Sequence, residues 1–111
     1  MYLETATLLT ILTVSKSLGA SAERLGRGQS SPIMRETLSA VYHIVSGSGW
    51  TMIDDEKFEW KQCDTFCLPS WKRYQHFASA EDDAYLYRCD DLPMLKALGF
   101  YRVEGEDFDE K

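Results

Sequence analysis

The chain has 111 residues, enough for one domain with a core of its own and too few to make two probable on size grounds. Hydrophobic residues make up 44% and aromatic residues 13%, a globular composition whose rings suit half-buried strand surfaces. The net charge is −6 and no basic cluster occurs, so nucleic-acid binding has no electrostatic support.

The excess of acid sits late in the chain. Residues 1–80 balance eight acids with eight bases, and residues 104–111 read as a solvated acidic tail. Near the start, residues 8–14 form an apolar run too short to span a membrane and lacking the positive flank of a signal peptide. Its threonines alternate with β-branched and leucine residues, so it is predicted to be a strand. Residues 17–21 are predicted to turn into a short segment at 22–25, and 26–32 form a loop of turn formers.

Residues 41–45 are predicted to be a strand. Ser46-Gly47-Ser48-Gly49 then supplies a tight turn, with 50–53 returning antiparallel. Further short strands follow at 57–60, 65–68, 74–78 and 84–89, separated by turns rich in Asp, Glu and Lys. Strands at this spacing indicate a sandwich or barrel. One helix is predicted after them, with Asp91 as N-cap, Pro93 in the first turn and Gly99 as its stop. Leu92, Leu95 and Leu98 give it one apolar stripe to pack across the barrel.

The three cysteines, Cys63, Cys67 and Cys89, are an odd number without a secretory framework, which points to reduced thiols and a cytoplasmic location. On a strand, Cys63 and Cys67 would lie ~13 Å apart, too far to share an ion.

Two stretches keep the spacing of a metal-binding barrel without its ligands. In the cupin family a first motif opens on glycine, places two histidines and a glutamate, and closes on glycine. Here Gly28 and Gly47 hold the ends, while Met34, Glu36 and Ala40 stand at the three ligand positions. The second motif runs from Cys63 through Pro69 to Tyr74, with tyrosine where the ligand histidine is expected. The phrases at 40–49, 64–71 and 91–102, including Pro69-Ser70-Trp71 and Leu98-Gly99-Phe100, resemble the C-terminal cupin of gentisate dioxygenase-like bicupins over residues 22–102.

That resemblance implies an all-β fold, a cupin jelly-roll barrel with a short C-terminal helix, spanning residues 1–103. It implies no iron chemistry, because the family's working Fe(II) site lies in the other cupin and the ligands are replaced here. A non-haem site needs two imidazoles and a carboxylate, so a ring-cleaving dioxygenase is the weakest reading.

Strand alternation puts Met34 with Glu36, and Tyr74 with His76, on single faces, and the cupin frame turns those faces inward. Glu36, Tyr74 and His76 are the candidate catalytic residues, since a carboxylate, a phenol and an imidazole are the parts of an acid–base site. Burial should lower the His76 pKa. Met34, Tyr42, Trp71 and Arg73 are the candidate substrate-binding residues, with Arg73 at the cavity mouth to meet a substrate carboxylate. His43 has the opposite parity to Tyr42 and should face outward.

The function expected is metal-independent and cofactor-free acid–base chemistry, isomerase- or cyclase-like, on a small apolar or aromatic, polyketide-like metabolite. The rival is a non-catalytic ligand-binding or dimerisation cupin. A homodimer is expected through the edge strand at residues 5–14, with no nucleic-acid or membrane partner.

Overall fold

A computed structural model describes residues 6–13, for their backbone alone, and residues 17–104 in full. Nine strands and a helix follow in order: β1 Ala6–Thr13, β2 Gly19–Leu25, β3 Met34–Arg35, β4 Ala40–Ser46, β5 Ser48–Ile53, β6 Glu56–Lys61, β7 Thr65–Leu68, β8 Arg73–Ala78, β9 Ala84–Asp90 and α1 Leu92–Leu98. They form two antiparallel sheets, ordered β1-β2-β9-β4-β7 and β3-β8-β5-β6. This is the jelly roll that the sequence predicts.

Alternation fills the space between the sheets. Ala40, Tyr42 and Ile44 on β4 are buried while Val41, His43 and Val45 are exposed. Tyr74, His76 and Ala78 on β8 are buried in the same way. Leu25, Leu38, Leu68, Leu86 and Trp60 complete the core, and burying each large apolar side chain contributes about 1.5–3 kcal/mol.

Two expectations about the strands are corrected. Residues 19–21 are not a turn but the start of β2, paired with Asp90, Cys89 and Arg88 of β9. The strands at 40–46 and 48–53 do not form a hairpin, because β4 pairs with β7 and β9 whereas β5 pairs with β6 and β8. Only Gly47 separates them, and its φ of 90° bends the chain from one sheet to the other. A Cβ there would lie 2.4 Å from the Asp83 carbonyl oxygen, so only glycine fits this corner.

The helix is capped differently from expectation. Asp91 makes no side-chain cap; the Asp90 carboxylate accepts from Leu92 N at 3.0 Å, and Asp91 accepts from Ser39 N at 3.0 Å. Gly99 does stop the helix, at φ 79°. Leu92 and Leu95 pack on the core, but Leu98 is 58% exposed, so the stripe is shorter than its spacing implies.

The first residue of the acidic stretch is also not free. Glu104 N donates to Arg35 O at 2.8 Å, and its carboxylate takes two bonds from Arg73 at 2.7 and 3.1 Å. Residues 105–111 lie outside the described residues.

Candidate functional site

Glu36 is held by two neighbouring segments. Trp71 N donates to Glu36 O at 2.7 Å, and Ser70 Oγ donates to Thr37 O at 2.6 Å, so the Pro69-Ser70-Trp71 corner is tied to this backbone. On the other side Glu36 bridges Val103, while Thr37 and Arg102 exchange bonds at 2.9 Å. This last contact carries Tyr101 over the site.

The Glu36 carboxylate accepts a hydrogen from Tyr74 at one oxygen and from Tyr101 at the other, at 2.5 Å for Tyr101. Burial, reinforced by Tyr42 and Glu36, pushes the Tyr74 phenol well above its ordinary pKa. Tyr74 therefore stays protonated and donates.

His76 lies near this pair without bonding to it. Its ring is 5.4 Å from that of Tyr74, edge-on to Tyr42 at 4.7 Å, and its Nδ1 is 2.8 Å from Thr51 Oγ1. Trp60 Nε1 donates to the same hydroxyl at 2.9 Å. Burial brings the His76 pKa down to about 3. The ring is thus neutral at ordinary pH.

Exposure is low throughout: Tyr42 0%, His76 3%, Tyr74 5% and Glu36 6%. Tyr42 faces inward as expected, stacked on Phe66 at 5.1 Å. Met34 is partly buried beside Tyr74, its strand partner. His43 faces outward and bonds Thr65 at 2.9 Å.

Two candidate substrate-binding residues point elsewhere. Arg73 is on the outward face of β8 and is neutralised by Glu104, because strand parity opposes it to Tyr74. Trp71 is 37% exposed under the Arg35 guanidinium, 4.7 Å away, outside the barrel.

Sequence reasoning missed a second polar group inside the barrel. Arg88 lies with Nη1 3.4 Å from the Tyr42 hydroxyl, Nε 2.9 Å from Asp90 and Nη1 4.0 Å from Glu23. Burial raises the Glu23 pKa against the opposing pull of Arg88. Alternation along β9 was a usable signal, since Ala84, Leu86, Arg88 and Asp90 share one face. Tyr101 had no local signal, because a distant backbone bridge positions it.

These residues do not fit an iron ion. The motif positions offer a thioether at Met34, a carboxylate at Glu36 already bonded by two phenols, and a protonated phenol at Tyr74. Among the described residues no group of three His, Cys, Asp or Glu could hold a metal.

No family model matches the chain. It is 34% identical over 89 residues to 5-aminosalicylate 1,2-dioxygenase of Comamonas sp, a match that covers 80% of this chain and 24% of that protein. It is 41% identical over 68 residues to gentisate 1,2 dioxygenase 1 of Aquipseudomonas alcaligenes, covering 61% of this chain and 19% of that one. The chain thus spans about a quarter or less of these relatives.

Salicylate 1,2-dioxygenase of Pseudaminobacter salicylatoxidans superposes with a TM-score of 0.80 at 25% identity, over 89% of this chain and 29% of that one. A cupin domain of Schizosaccharomyces pombe matches in fold, with a TM-score of 0.73 at 17% identity, over 94% of this chain and 74% of that one. The chain is a cupin domain, related to the ring-cleaving gentisate and salicylate dioxygenases.

Proposed function

We propose that this cupin performs metal-independent proton transfer, of the isomerase or cyclase kind, on a small apolar or aromatic metabolite. The observation that carries the reading is the buried Glu36 carboxylate, which shares hydrogens with Tyr74 and Tyr101 and has no ion pair to Lys or Arg among the described residues. A buried carboxylate within reach of two phenols is a candidate proton acceptor. Tyr74 and Tyr101 each hold their one hydrogen on Glu36 and can turn it to a developing oxyanion once Glu36 has taken a proton. His76 acts as a neutral hydrogen-bonding group. The aromatic substrates named in the relatives support an aromatic ligand class.

A second reading has its own support. Tyr74 is 5% exposed with its hydroxyl on Glu36, which also describes a sealed, non-catalytic barrel built for binding or dimerisation. Val41, Val45, Tyr85 and Tyr87 are exposed on the first sheet, and this apolar face supports a homodimer in either case. Exposed free thiols at Cys63, Cys67 and Cys89 support a cytoplasmic location.

The experiment is solvent deuterium exchange into a panel of enolisable aromatic ketones, followed by proton NMR with and without EDTA. Exchange should persist in EDTA and fall about 100-fold or more in Glu36→Gln. Exchange that EDTA abolishes, or that Glu36→Gln leaves intact, would defeat the reading. Gentisate cleavage after adding Fe(II) would establish the dioxygenase alternative instead.

A further inference from the structure

Glu36 is 6% exposed, so a base at this position meets a small molecule only if something moves aside. The two phenols bonded to it are held very differently. Tyr74 lies on β8, which pairs with β3 on one side and β5 on the other. It cannot leave Glu36 without breaking a sheet. Tyr101 lies on the short segment 99–104 that follows the helix, and none of those residues is fully buried. Tyr74 is 5% exposed and Tyr101 is half-exposed, so Tyr101 is the phenol on the solvent side of the carboxylate.

The segment crosses residues 35–37. Thr37 N donates to Arg102 O at 2.9 Å and Glu104 N to Arg35 O at 2.8 Å, on either side of the bridge between Glu36 and Val103. Backbone bonds at the rim of a fold, with little apolar burial behind them, are where local opening begins.

The two ends suit such an opening. At the first, Gly99 bends the chain at φ 79°, and a Cβ there would meet nothing within 4 Å, so the bend sits in open space. At the second, the Glu104 carboxylate accepts from Arg73 Nε at 3.1 Å and Arg73 Nη2 at 2.7 Å, with Arg35 Nη1 at 3.6 Å. Arg73 is anchored on β8 and Arg35 on β3, so the pair ties the end of the segment to the wall of the barrel. The Glu104 and Arg73 side chains are 41% and 55% exposed, and ion pairs in water are weak. That strength biases a closed position without locking it.

We propose that residues 99–104 form a strap that opens about Gly99 to uncover Glu36, and that the ion pair of Glu104 with Arg73 and Arg35 is the latch that keeps it closed. This deepens the acid–base reading and rests on it for purpose: opening admits the substrate, and closing returns Tyr101 to the site.

The test follows the full chain, native and with Glu104→Gln, Arg73→Gln and both together, by two measurements. Amide hydrogen exchange reports opening at Thr37, against Ile44, whose amide bonds Asp64 O at 2.9 Å inside the barrel. Labelling with a water-soluble carbodiimide and glycine ethyl ester, read by peptide mass spectrometry, reports access to Glu36, against Asp90, which is equally buried at 6%. Native Thr37 should exchange faster than Ile44. Each single variant should speed Thr37 exchange and Glu36 labelling together by about two- to fivefold, with Ile44 and Asp90 unchanged. The double variant should add nothing further, since one pair is lost in all three. Thr37 exchanging only as fast as Ile44, a latch variant without effect on Thr37, or Thr37 exchange that rises while Glu36 labelling does not would each overturn the strap. If the strap behaves as expected but Glu36→Gln still exchanges deuterium into the ketones, the strap stands and the acid–base reading fails.

Discussion

Replacing Tyr74 by Phe deletes one of the two hydrogens offered to Glu36 while keeping the ring that fills the barrel. Hydrogen bonds to charged groups contribute about 1.5–3 kcal/mol, so Tyr74→Phe should lower stability by that amount in urea unfolding. Tyr101→Phe should cost less, because Tyr101 is only half-buried and water can replace its hydroxyl. His76 makes a second prediction. Its folded pKa of about 3 is below its ordinary 6.5, so between those values the unfolded chain binds more protons. The stability it contributes is present above pH 6.5 and declines as the pH falls toward 3. From pH 7 to pH 5 the loss should be about 2 kcal/mol at about 1.4 kcal/mol per pH unit, and His76→Asn should flatten that part of a stability–pH profile. Parity along β3 and β8 made the inward aim of Glu36, Tyr74 and His76 legible in the sequence. It did not reveal which atoms meet, because the partners Thr51, Trp60 and Tyr101 come from three other segments.

At the scale of elements, four turns share a left-handed backbone although two of them lack glycine. The first cupin motif has its glycines at 28 and 47, and the second, whose pattern runs glycine, five residues, proline, one residue, glycine, would have them at 63 and 71. All four are left-handed, with φ of 69°, 90°, 75° and 61°, although Cys and Trp occupy the last two. A left-handed backbone at a non-glycine residue costs about 1–2 kcal/mol. Cys63 is exposed and unpaired by any disulfide, so Cys63→Gly should stabilise the chain by about 1 kcal/mol and raise its melting temperature by several degrees. Gly47→Ala should do the opposite by well over 1 kcal/mol, since the new Cβ would meet Asp83 O at 2.4 Å and Ala84 Cα at 2.8 Å. Strand positions were readable because alternation is a local signal. The β4–β5 relationship was not, since a Gly-Ser stretch between two strands looks the same whether the chain doubles back or passes to a second sheet.

For the molecule as a whole, the preserved backbone has a consequence for metal binding. The chain superposes on a salicylate 1,2-dioxygenase with a TM-score of 0.80, yet its donor set does not fit iron. If side chains alone account for that, Met34→His, Glu36→His and Tyr74→His combined should create a site that binds Co(II) stoichiometrically, visible as d–d absorption and removed by EDTA. The unaltered chain should retain no stoichiometric iron after dialysis. Metal uptake by the native chain would show that its present donors suffice, and none by the triple variant would show that the frame has diverged along with its ligands.

The sequence alone determined the alternation, the loss of ligand residues and hence a barrel without iron donors. These are properties of residue type and spacing, and strand geometry converts them directly into faces. Tertiary structure decided that Tyr101 closes on Glu36, that Arg73 is bound outside by Glu104, and that Arg88 sits inside the barrel between Tyr42, Asp90 and Glu23. Those outcomes depend on which segments become neighbours across and between sheets, and pairing between segments 31 to 65 residues apart leaves no mark on the residues near each partner.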